Sequence, residues 1–123
     1  MATNDKYRRR LTRLLAGLGL AAGIALFTRP QQVVDRLAPA FPADRVWLVR
    51  ALGARLLVQH GAVLAAPAHA VVRVGSAVDL MHAASMVPFV VSPSYGRAAR
   101  LSGAVAAAYA AAGLAVAPRS AGR

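Results

Sequence analysis

Four apolar stretches, each close to the length that crosses a bilayer, fill most of the chain. They cover residues 11–27, 46–66, 71–91 and 99–117 of 123, and a membrane-spanning helix needs about 20 predominantly apolar residues. The composition agrees, because 58% of the residues are hydrophobic and 15% are charged, against about 45–50% and about 25% in soluble domains. The sequence therefore predicts an all-α integral membrane protein, a single-domain bundle of four transmembrane helices.

Prolines and a basic segment mark the boundaries of these stretches. Pro30, Pro67 and Pro118 follow the first, second and fourth stretches, and residues 92–96 form a Ser-Pro-Ser-Tyr-Gly turn after the third. Residues 30–45 are mixed in polarity and predict a loop with one or two helical turns at the membrane surface. The first stretch follows basic residues, as the core of a signal peptide does. The nearest small-x-small site, residues 38–40, lies too far downstream for normal cleavage, so we expect a retained span.

The distribution of basic residues predicts an orientation. Short cytoplasmic loops carry an excess of lysine and arginine. Four spans place the N-terminal cluster and the C-terminal tail on one side, with seven basic residues: Lys6, Arg8, Arg9, Arg10, Arg13, Arg119 and Arg123. The other side has five, namely Arg29, Arg36, Arg45, Arg97 and Arg100. We therefore expect a multi-pass protein of the inner (plasma) membrane with both termini in the cytoplasm.

The formal net charge of +11 is also typical of nucleic-acid-binding proteins. Here the basic residues crowd before the first span or flank the later ones, as lipid-facing anchors do. No zinc-finger spacing, recognition-helix motif or aromatic RNA-binding motif accompanies them. The lipid bilayer is therefore the expected partner, and nucleic acid is not.

An arginine and an aspartate, Arg55 and Asp79, lie near the middle of the second and third stretches. An ionisable residue inside a membrane is costly, and it indicates a functional site when a partner can be named. If these two spans form an antiparallel hairpin about Pro67, the helical rise of about 1.5 Å per residue leaves the two residues only about 3 Å apart in depth. The sequence therefore predicts that Arg55 and Asp79 meet.

Further polar and small residues surround this pair in the predicted hairpin. Gln59 lies one turn from Arg55, and His82 lies three residues from Asp79, so each shares a face with its neighbour. Gly53 and Gly75 would let the two backbones approach closely. Two interpretations stay open: a buried ion pair that locks the hairpin in register, and a proton or substrate relay that uses Asp79.

The first span contains the pattern Gly19-x-x-x-Gly23, which is typical of membrane-helix contacts. It predicts either a dimerisation face or a packing face within the chain. No phosphate-binding loop, nucleophile elbow or HExxH motif is present, and the histidines lack metal-ligand spacing. We expect no cofactor, no metal and no enzymatic activity.

Residues 52–59, Pro67 and residues 75–86 together resemble small four-span membrane proteins of unknown function that are common in actinobacteria. The resemblance covers about the middle third of the chain. It implies that a Gly-x-Arg helix paired with an Asp-x-x-His helix, here Gly53 to Arg55 and Asp79 to His82, is characteristic of the group. It brings no activity with it, and the glutamate or histidine often found beside the arginine is Leu56 in this chain.

The sequence thus favours a structural or accessory subunit that acts through helix–helix association, as a homo-oligomer or in a larger membrane complex. The alternative is a small homodimeric proton-coupled transporter that uses Asp79. Known small multidrug carriers have their essential acid in the first span, and the first span here has none.

Overall fold

The computed structural model describes residues 2–120, and side chains from residue 3 onward. Arg123, which entered the orientation argument, lies outside these residues. The described chain forms five α-helices: α1 (Ala2–Thr28), α2 (Pro30–Leu37), α3 (Val46–Ala65), α4 (His69–Met86) and α5 (Gly96–Val116). Short 3-10 turns precede α3 at Ala43–Arg45 and follow α4 at Val87–Phe89.

Four of the described helices, α1, α3, α4 and α5, are long and apolar enough to cross a membrane. The predicted all-α membrane bundle is therefore confirmed. The helix bounds follow the predicted spans within a few residues, except that α1 begins at Ala2 instead of residue 11. No glycine or proline interrupts residues 2–16, and arginine, leucine and lysine are good helix formers, so the basic segment continues the helix.

The helices pack as two pairs. α1 lies along α3, and α4 lies along α5, whereas α3 and α4 meet at few points. The predicted close approach of the second and third spans is therefore wrong, although the two helices still form a hairpin in which Arg55 and Asp79 meet. The three residues between α3 and α4 hold their ends together, but small residues elsewhere decide the lateral partners, because close backbone approach requires them on both sides.

The two helices of each pair run in opposite directions. Different contacts form at the two ends of the bundle. At one end, which we call the terminal end, the start of α1 meets the end of α5, because Arg8 Nη1 donates to the carbonyls of Ala115 and Ala117 at 3.1 Å each. At the opposite end α2 packs with Pro30 and Val34 buried. The Tyr95 ring lies there with its centroid 5.4 Å from Phe41 and 6.0 Å from Phe89.

Arginine side chains close the carboxyl ends of several helices. Arg8 closes the end of α5, as described above. Arg50 donates to Phe27 O at 3.1 Å at the end of α1, and Arg97 donates to Leu37 O at the end of α2. The last carbonyls of a helix have no partner within the helix and carry partial negative charge, so a guanidinium both satisfies and stabilises them. Three of the basic residues that flank the spans therefore also close helix ends.

Candidate functional site

Three side chains form a hydrogen-bonded bridge between the two helix pairs, and we call this set the polar bridge: Arg55 and Gln59 of α3, and Asp79 of α4. Arg55 Nη1 donates to Gln59 Oε1 at 2.7 Å, and Gln59 Nε2 donates to Asp79 Oδ2 at 3.0 Å. Arg55 Nη1 also lies 3.4 Å from Asp79 Oδ1. The structure thus brings Arg55, Gln59 and Asp79 together, with Gln59 making the shorter contacts.

The Gln59 amide has a fixed orientation in this bridge. Its oxygen faces the guanidinium, and its nitrogen donates both to Asp79 and to the Gly75 carbonyl, the latter at 3.2 Å. A rotated amide would point two N–H donors at the cationic guanidinium, which has no acceptor. Gln59 therefore links the arginine to the carboxylate with a defined direction of hydrogen bonding.

The bridge lies near the middle of both helices and away from bulk water. Asp79 is 4% exposed, while the Arg55 side chain keeps 27% exposure. Separating a buried ion pair by removing one partner is costly, because the remaining charge is left without compensation. Removing one partner of the polar bridge would therefore leave an uncompensated charge between the two helix pairs.

His82 does not join the polar bridge, so that part of the predicted cluster is wrong. Its Nε2 lies 3.3 Å from Ser102 Oγ of α5. Because α4 packs against α5, the side of α4 that carries His82 is turned toward α5, although Asp79 one turn earlier reaches α3. The spacing from Asp79 did not determine that His82 faces α5.

The two glycines predicted to bring α3 and α4 together have different partners. A Cβ atom on Gly53 would lie 2.6 Å from Phe27 N and 2.9 Å from Gly23 O, so Gly53 faces α1. A Cβ atom on Gly75 would lie 3.4 Å from Gln59 Nε2, so Gly75 faces the Gln59 side chain. Gly53 therefore belongs to the α1–α3 contact, and Gly75 makes room for the polar bridge.

The Gly19-x-x-x-Gly23 pattern is a packing face within the described chain. Gly23 crosses the Gly53 backbone, and a Cβ atom on Gly19 would collide with the His60 ring. His60 is 5% exposed, and its ring packs edge-on against Tyr109 with the centroids 5.2 Å apart. Our sequence reasoning missed His60 as an interior residue. It lies seven residues after Gly53, on the same face of α3, and that spacing was the available signal.

A small cavity lies where α1, α3, α4 and α5 converge, and we call it the central cavity. Its volume is about 30 Å³, and its polar lining comes from Thr12, Gln59, His60, Ser76, Asp79 and Tyr109. A cavity needs about 10–15 Å³ or more of such space, and several polar groups in its lining, to hold a water molecule. The central cavity therefore has room and hydrogen-bonding groups for water beside the Asp79 carboxylate.

A larger, apolar groove runs along the outside between α3 and α4, and we call it the α3–α4 groove. Its volume is about 700 Å³, and its lining comprises Ala54, Arg55, Val58, Gln59, Ala62, Ala70, Val71, Val74, Gly75 and Val78. The groove results from the same divergence that prevents α3 and α4 from forming a tight hairpin. Among the described residues that line it, Arg55 of the polar bridge alone is charged.

Neither a search for clustered metal ligands nor the comparisons with known proteins indicate a function. In the part of the chain that the structure describes, no three histidine, cysteine, aspartate or glutamate side chains come together as metal ligands. No protein-family model, curated protein or solved structure matches the chain. The candidate site consequently rests on the polar bridge and the two spaces beside it.

Proposed function

We propose that this multi-pass membrane protein is a non-enzymatic accessory subunit that acts through contacts between its helices and those of a larger membrane complex. The observation that supports the proposal is that intramembrane polar side chains form hydrogen bonds that join helices. Arg55, Gln59 and Asp79 hold one another, and Thr12 Oγ1 donates to Val116 O at 3.2 Å. These polar side chains tie helices together, as polar residues commonly do in membrane bundles.

The outward surface is where such association would take place. The glycine pattern of α1 is occupied by α3 within the chain, so it does not supply a dimerisation face. Large apolar side chains remain exposed on every long helix, among them Leu18, Leu80 and Val105. In a bilayer, helices associate through close packing and interhelical hydrogen bonds, since lipid tails are as apolar as leucine. Partners would therefore recognise the shape of these faces.

Photo-crosslinking in native membranes tests this proposal. A photoreactive amino acid is placed at outward Leu80 or Val105, with Ala110, which is 1% exposed on α5, as the matched inward control. We expect an outward position to give an adduct of one discrete additional mass, and Ala110 to give only internal links. Adducts with lipid alone at every outward position, together with a monomer in mild detergent, would contradict the proposal.

A second candidate is a homodimeric proton-coupled transporter, and the central cavity favours it. Asp79 borders that cavity, and a buried carboxylate with room for water beside it is a suitable proton-binding group. Reconstituted liposomes with an imposed pH gradient test it with Asp79→Asn, which keeps the shape of the side chain and removes the titrating group. Gradient-driven uptake that is unchanged in this variant would exclude the candidate.

The orientation is also a proposal, with both termini in the cytoplasm and the chain in the plasma membrane. The chain has no cysteine, so single introduced cysteines report on their own positions. We expect an impermeant maleimide to label Ser94→Cys from outside intact cells, while Lys6→Cys reacts only after lysis. The reverse pattern would show the opposite orientation. The resemblance to small four-span actinobacterial proteins stays a prediction beside this.

A further inference from the structure

We propose that the α3–α4 groove binds a membrane-soluble molecule with an apolar tail and a neutral carbonyl head group, the chemistry of an isoprenoid quinone. Its volume of about 700 Å³ falls within the range of about 300–1,000 Å³ of small-molecule sites, which are mainly apolar with a few polar groups. The rims are open to the surroundings, since Val58 is 75% and Val74 65% exposed. The occupant would therefore enter from the bilayer.

Arg55 supplies the polar recognition. A guanidinium has five N–H donors, and the two hydrogen bonds of Arg55 both come from Nη1. Among the described residues Nη2 makes no hydrogen bond, and the Arg55 side chain lines the groove with 27% of its surface exposed, whereas Nε is enclosed by the protein. In hydrocarbon, where no water supplies an acceptor, an unpaired donor such as Nη2 is unfavourable. A groove occupant that carries an acceptor at the level of Arg55 would remove part of that cost, whereas a plain hydrocarbon tail would not.

The charge of the polar bridge selects a neutral acceptor. Arg55 and Asp79 already balance each other, with 3.4 Å between Nη1 and Oδ1. An anionic head group at Arg55 would bring a second negative charge close to the Asp79 carboxylate, where repulsion is weakly screened. A ketone-type oxygen accepts the hydrogen bond without this repulsion.

The position of Arg55 argues against other occupants. Arg55 is the tenth of the 20 residues of α3, so it lies about 15 Å from either edge of the hydrocarbon core, beyond the reach of an ester carbonyl of a bilayer phospholipid. A second copy docked about a two-fold axis would place two Arg55 side chains at one depth. The α3 wall, residues 54–62, extends only about 12 Å, less than half of a membrane-spanning helix.

Competition binding to the full chain in phosphatidylcholine nanodiscs tests the proposal, with radiolabelled decylubiquinone as the probe. We expect saturable binding at one site per chain. Unlabelled decylubiquinone should compete at least tenfold better than decylbenzene, which has the tail without the carbonyls, and better than the anion stearate. Equal competition by decylbenzene, or no saturable binding, would overturn the head-group recognition without affecting the crosslinking test of an accessory role.

Matched variants locate the site. Val74→Trp fills the groove and should weaken binding at least tenfold, while Val105→Trp adds the same bulk to an exposed position of α5 outside the groove and should not. Ala70→Leu, a smaller addition to the groove wall, replaces Val74→Trp if that variant does not fold. The double variant Arg55→Met with Asp79→Asn should lose the preference for decylubiquinone over decylbenzene. Equal binding by the groove-filling and α5 variants would place the site elsewhere.

Discussion

The substitution Gly53→Ala tests whether the α1–α3 contact determines the packing of this bundle. The added methyl group would lie 2.6 Å from Phe27 N, 2.9 Å from Gly23 O and 3.0 Å from Leu26 C. All three are backbone atoms of α1, so no side chain can rotate to make room. The only relief is a movement of one helix away from the other.

The size of that movement gives the magnitude. Ordinary van der Waals contact begins at 3.4 Å, so α1 and α3 must separate by roughly 0.8 Å, and a gap of that size forfeits about a quarter to a half of each dispersion contact along the interface. Overpacked interiors lose about 1–3 kcal/mol. We expect Gly53→Ala to lower the free energy of unfolding by this amount.

Reversible unfolding in mixed detergent micelles, followed by circular dichroism, measures the effect. Gly61→Ala is the matched control on the same helix, because a Cβ atom there meets nothing within 4 Å. Alanine favours a helix over glycine by about 0.5–1 kcal/mol, so the control should be neutral or stabilised. If Gly53→Ala is as stable as Gly61→Ala, the close crossing of α1 and α3 is not what holds the pair together.

Three further predictions concern individual contacts, each read as the free energy of unfolding in the same micelles. Arg55→Ala should cost about 3–5 kcal/mol, and the double variant with Asp79→Ala less, because only the single change strands a buried charge; equal or larger loss in the double variant contradicts the pairing. Gly19→Ala should destabilise through collision with the His60 ring, and His60→Ala should rescue it; no rescue would refute the contact. Thr12→Val should cost about 0.6–1.7 kcal/mol, and no loss would show that its bond to α5 contributes nothing.

The number and limits of the spans could be predicted because they depend on local chemistry. The length of an apolar stretch decides whether it can cross the bilayer. Pro30 and Pro67 interrupt the helices whichever way the helices pack against one another. Lateral pairing is different, since it depends on which surfaces fit. The short link between α3 and α4 suggested a hairpin, but the backbone crossing of Gly23 with Gly53 joins α3 to α1 instead.

For the polar bridge, too, one property could be predicted from the sequence and another could not. Depth follows from the rise per residue, so sequence spacing placed Arg55 and Asp79 at one level whichever helices are neighbours. The direction of a side chain depends on the whole arrangement of helices, which is why His82 pairs with Ser102. The spacing of His60 from Gly53 was a signal, but it indicates burial only once α1 is known to cover Gly53.

The contacts at the terminal end impose an order on biogenesis. Arg8 and Thr12 belong to α1, yet their hydrogen-bond acceptors are the carbonyls of residues 115–117, which are synthesised more than a hundred residues later. The α1–α3 pair can assemble early, but α1 keeps exposed donors until α5 has entered the membrane. During that interval Arg8 and Thr12 lack their acceptors, and the entry of α5 completes the terminal end of the bundle.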